Sequence, residues 1–185
     1  KAGSSQALTQ LGEGDDANFC HSEIWQMVAP DVGTFNLVLG FGAACQKLAC
    51  IPMSFSGVDQ TSSHALVAIN NGAIASTVPT VVTVSAVGAM TVGVICTDAS
   101  AITEGGTLIR EAENIGTDIS VGSQRYAGAS PTVDVLWTQA SNLYALVGVT
   151  ILPAAAAGGV SAPPFLYGDL SGLGSGGRFF KDQLG

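Results

Sequence analysis

Charge is scarce in this chain. Only 11% of its 185 residues are Asp, Glu, Lys or Arg, against roughly a quarter in an average soluble domain. Basic residues are the scarcest, 6 against 14 acidic, for a net charge of −8. A nucleic-acid binder needs a basic face to neutralise phosphates, so that class is excluded, and the acidic balance argues equally against docking on anionic lipid. Long apolar runs are also missing. None reaches the ~18 residues of a spanning helix, because Thr, Ser and Gly interrupt every apolar string; membrane insertion is not expected. Histidine, the commonest general acid–base, occurs only at His21 and His64.

With so few charges and a mean hydropathy of +0.42, the surface has to be built from Ser, Thr, Asn, Gln, Gly and Ala. Such a surface suits a large interface or an extracellular setting. Four cysteines, Cys20, Cys45, Cys50 and Cys96, allow three complete pairings and match no zinc-site spacing. They read either as small buried hydrophobes or as one or two disulfides, with Cys45 and Cys50 across a short turn as the easiest local pair.

What is abundant is the punctuation of a β protein: 24 Gly, 7 Pro and short Val/Thr/Ile runs bounded by turn residues. Residues 1–18 read as an N-terminal arm. Strands are expected at 19–28, at 34–41 (Phe35, Leu37, Leu39 and Phe41 alternating), at 51–59, and at 80–85 with 90–97, the last two as a hairpin. Residues 59–79 read as turn-rich, with Asn70-Asn71-Gly72 as a turn. Residues 108–115 fit helical turns or a strand equally. Further strands are expected at 120–128, 132–139 and 142–153. In the last of these, ALVGVTIL is either buried on both sides or bulged at Gly148. No helical period extends over ~11 residues, which excludes βαβ folds. The expected fold is all-β: a two-sheet antiparallel, jelly-roll-like sandwich over 19–153, with extended arms at both ends.

After Pro153 the chain becomes a Gly/Ala-rich C-terminal arm, 154–185. Its aromatic and apolar anchors, Phe165, Leu166, Tyr167, Phe179 and Phe180, suit docking on a neighbouring subunit. Candidate chemistry is thin. Cys20 and His21 are adjacent on a strand and so point to opposite faces. His64 lies in a Ser-rich loop. Glu23 and Asp59 read as a strand-face carboxylate and a turn cap rather than a catalytic or calcium-binding pair. Asp15 and Asp16, near Glu13, lack calcium-loop spacing, and calcium would need backbone carbonyls to complete a site there. Asp98, Glu104, Glu111 and Glu113 read as solvated charges. GSGG at 174–177 lacks the Lys-Ser/Thr ending of a phosphate loop. Trp25 and Trp137 read as core residues, with a sugar-stacking face as the alternative.

Three segments together, SEIWQMVAP at 22–30, SFSGVDQT at 54–61 and LYALVGVTILPA at 143–154, resemble a β-sandwich module of bacterial secreted and bacteriophage virion proteins. The resemblance covers residues 1–154 and implies a non-catalytic building block or display module. In that module further strands precede the EIW strand, ending in a segment similar to ALTQLG at 7–12. The expectation is either a missing N-terminal portion or a shortened version whose exposed edge is covered in trans. The expected function is a non-enzymatic structural protein of a multi-copy virion assembly, its partners being copies of itself and other subunits. A filament or surface-layer subunit and a carbohydrate-binding or adhesion module are the alternatives. No cofactor is expected.

Overall fold

The computed structural model describes residues 6–16, 20–30, 37–40, 47–65, 67–115 and 119–155. These residues form ten strands: β1 (Thr9–Asp15), β2 (His21–Gln26), β3 (Ala68–Ser76), β4 (Thr80–Val84), β5 (Met90–Thr97), β6 (Ile102–Glu104), β7 (Thr107–Ile115), β8 (Ile119–Ala127), β9 (Thr132–Gln139) and β10 (Asn142–Ile151). The strands make three antiparallel sheets. The central sheet has the order β3-β10-β5-β8-β7, a second has the order β4-β9-β6, and β1 and β2 form a hairpin.

The central strand β10 explains the layering. Its side chains alternate strictly, and both sets are buried. Tyr144 and Leu146 pack with Val81, Ile95, Ile102, Val135 and Trp137, between the central sheet and the β4-β9-β6 sheet. Val147 and Val149 pack with Ile24 and Val92 on the opposite face, beneath the hairpin, together with Leu11, Met53, Phe55 and Val67. A continuous apolar run therefore marks a strand covered on both faces. Burying each such side chain stabilises the fold by roughly 1.5–3 kcal/mol.

Glycines let the layers approach. A Cβ at Gly93 would lie 2.2 Å from Val135 Cγ1, and one at Gly122 would lie 2.5 Å from Trp137 Cη2. The inter-sheet space also holds polar groups, most of them hydrogen-bonded. Gln124, fully buried, donates to Leu136 O (2.7 Å) and accepts from Gly106 N (2.7 Å). The Tyr126 hydroxyl accepts from Leu136 N (3.1 Å), tying the two sheets together. Thr91 and Thr150 share a hydroxyl hydrogen bond of 2.8 Å. The buried Trp137 indole N–H has no acceptor among the described residues.

The all-β architecture of packed antiparallel sheets agrees with the sequence reading, but several local expectations are corrected. Residues 9–15 are a strand rather than part of a free arm, because Glu13 and Gly14 pair with Glu23 and Ser22. Asn70-Asn71-Gly72 does not turn: it runs through β3 along β10, with Asn70 Nδ2 donating to Thr80 O. β4 and β5 are not a hairpin. They lie in different sheets, and the Ala86–Ala89 turn, with Gly88 at φ 86°, carries the chain across the core. Of the two readings open for residues 108–115, the strand holds: they belong to β7. Within the expected strand 34–41, the described residues 37–40 are in no strand, and Leu37 and Leu39 are exposed; Phe35 and Phe41 lie outside the described residues. Gly148 is not bulged, since the β5–β10 register is continuous through it.

Candidate functional site: the outer face of the β1–β2 hairpin

β2 alternates: Ser22 and Ile24 point inward, and His21, Glu23 and Trp25 point to solvent. In β1 the glycines Gly12 and Gly14 lie against Val67, Val147 and Asn71, which turns Glu13 and Asp15 outward. Cross-strand pairing sets Glu13 opposite Glu23 and Asp15 opposite His21. Facing like charges repel, and the imidazole relieves that repulsion. His21 Nε2 lies 2.7 Å from Glu23 Oε1 and 3.7 Å from Glu13 Oε1. Trp25 Nε1 donates to Glu23 Oε2, and Gln10 Nε2 to Glu13 Oε2 (3.0 Å).

Partial burial disfavours the His21 cation, but its hydrogen bond to Glu23 and the charges of Glu23, Glu13 and Asp15 outweigh this and raise its pKa above the usual value. One donor atom each from Glu13, His21 and Glu23 falls within a 4.8 Å span. All three residues are exposed to water. Trp25 is 46% exposed beside them. The face thus offers an indole plane, two carboxylates and an imidazole.

The other sequence-marked residues are dispersed. Trp137 is core, as expected, whereas Trp25 is not: the hairpin shows solvent one of its faces, and Trp25 is on it. Cys20, just before β2, is buried and His21, its first residue, is exposed, so the two face opposite ways as expected. Asp59 Oδ1 accepts from Thr61 N (2.7 Å) and Ser62 N (3.0 Å). It is a turn cap, and these backbone bonds lower its pKa. Asp16 is buried and accepts from Cys20 N (3.0 Å), turned away from Asp15. His64 lines a shallow open cleft with Leu11, Ala65 and Val67. Its neighbour Ser63 donates to Gln26 Oε1 (2.8 Å), and the same hydroxyl lies 3.3 Å from His64 Nδ1. Glu113 is not merely solvated, since it accepts from Ile102 N (2.9 Å). Burial and the charges of Glu113 and Glu104 raise the pKa of Glu111. Cys50 is exposed. Cys45, residues 174–177, Phe165, Leu166, Tyr167, Phe179 and Phe180 lie outside the described residues.

A second exposed feature is the edge strand β4. Among the described residues it pairs with β9 alone. Trp137 N donates to Pro79 O (3.0 Å) and Ser85 N to Pro131 O (2.9 Å). The odd-numbered residues of β4 therefore bond to β9, and the N–H and C=O groups of Val82 and Val84 face the open edge. Their side chains are 54% and 52% exposed, and Val87 beyond them is 83% exposed. The sequence marked 80–85 as a strand; which of its edges pairs depends on topology. No family model, curated protein or solved structure matches the chain.

Proposed function

We propose that the chain is a non-enzymatic structural protein that works as one copy among many, joined to a second copy through β4. The observation that carries this is the β4 edge at Val82 and Val84, which no other strand pairs among the described residues; both side chains are exposed and TVVTV holds no charge or bulge, while Thr80 O at the strand's start accepts from Asn70 Nδ2. Soluble proteins ordinarily protect an edge with Lys, Pro, bulges or a covering loop. An unprotected, uncharged edge suits strand addition. Antiparallel pairing centred on Val82 would place Thr80 against the partner copy's Val84, a self-complementary two-fold contact. The charge-poor composition and the resemblance of the EIW, FSGVDQT and LVGVTILPA segments to virion modules favour a bacteriophage head, tail or decoration component. In that reading the domain is jelly-roll-like and residues 154–185 form an extended C-terminal arm.

The test is the native mass of the full chain, wild type against Val82→Lys/Val84→Lys. The expected result is a multimer that the double variant reduces to a monomer with its unfolding transition unchanged. A wild-type chain that stays monomeric at high concentration overturns the proposal.

A second reading rests on Trp25. An exposed indole beside Glu23 and His21 is a stacking platform for a sugar ring flanked by hydrogen-bonding groups, as an adhesion module would use. Glycan-array binding that Trp25→Ala abolishes would support it; an unchanged binding profile for that variant would remove it.

A further inference from the structure

We propose that Cys20 and Cys96 form a disulfide that fastens the β1–β2 hairpin to the central sheet. This excludes the pairings that join either residue to Cys45 or Cys50.

The two cysteines come from different layers and meet in one buried cluster with Ala145, at 1% and 7% exposure. Cys96 projects from β5 toward the face that the hairpin covers. Its ladder neighbours are Ala145 on β10 and Val121 on β8. Ala145 carries only a methyl group, which leaves room above Cys96 for a second side chain. Cys20 is brought there by the hairpin's own closure. Asp16 N donates to Cys20 O (3.1 Å), and Cys20 N to Asp16 Oδ1 (3.0 Å). Two residues on, Ser22 Oγ donates to Ala145 O (2.9 Å), anchoring β2 over β10. Cys50, by contrast, is exposed.

Both are thiols in the structure, with Cys20 Sγ donating to Leu143 O (4.0 Å). In the exchange, one cysteine thiolate attacks a sulfur of a small-molecule disulfide, such as glutathione disulfide, and expels one thiolate, which takes up a proton. The other cysteine loses its proton and attacks the protein sulfur of the mixed disulfide, expelling the second thiolate, which takes up a proton in turn. Two protein thiols are oxidised to one disulfide, and the reagent is reduced to two thiols. Because both sulfurs are covered in the folded chain, the exchange belongs to folding, before the hairpin docks.

The experiment is oxidative refolding of the full chain in a glutathione redox buffer, followed by alkylation, digestion and mass spectrometry. The expected product is a peptide joining Cys20 to Cys96. Reduction should lower the thermal unfolding midpoint by about 10 °C, a dependence that Cys96→Ala abolishes. Recovery of both residues alkylated, or joined to Cys45 or Cys50, overturns the proposal. If Cys96→Ala does not fold, the peptide map of the native chain still decides.

Discussion

At the scale of single residues, the hairpin face is governed by one imidazole among carboxylates. The folded pKa of His21 is raised, so its contribution to stability is full below the unfolded value of about 6.5. That contribution is lost as pH rises through the folded value. With a side chain 45% exposed, it amounts to less than about 1 kcal/mol. His21→Gln should therefore flatten the fall in stability on the alkaline side of about pH 6.5. Urea unfolding midpoints across that range check this; an unchanged slope would mean that the Glu13–Glu23 pair is relieved by something else. The position of His21 follows from alternation in HSEIWQ. Its partner Glu13 does not, because residues 1–18 carry no strand pattern strong enough to announce β1.

At the scale of elements, close contact between the sheets depends on missing side chains. Gly122 in β8 leaves space for the Trp137 ring, and the Cβ of an alanine there would also lie 2.8 Å from Ile102 Cδ1. Gly122→Ala should destabilise the domain by about 1–3 kcal/mol through overpacking, seen as a lower denaturation midpoint with an unchanged m-value. A variant as stable as wild type would show that the sheets can separate without cost. The strand β9 was legible because its apolar residues alternate, and β10 because its apolar run is continuous between turn residues. β3 was not: NNG is a turn signal locally, and only pairing along β10, with Asn70 bonded to Thr80 O, overrides it. The same competition decided β7, where REAEN favours helix locally but the residues complete the edge of the central sheet.

At the scale of the whole molecule, the notable feature is an edge strand, β4, that pairs on one side only among the described residues of a weakly charged protein. A covered strand such as β10 is apolar on both faces, and a protected edge carries charge; β4 has neither property. Val82 and Val84 are exposed and outside the core clusters, so their substitution by lysine costs the fold little, within about 0.5 kcal/mol, while placing charge along the pairing edge. The proposed β4–β4 contact closes on itself as a dimer. A shell or filament therefore needs a second contact elsewhere on the surface.

The sequence by itself determined the fold class and most strands, because burial on one or two faces imposes a period that the residues carry directly. It also placed the Asp59 turn cap and the opposite facing of Cys20 and His21, which are consequences of local geometry. Only the tertiary structure decided which strands share a sheet, which edge stays open, that Trp25 is exposed while Trp137 is buried, and that Cys20 meets Cys96. Those outcomes depend on pairing between segments far apart in the chain, and a periodic pattern specifies a face without specifying its partner.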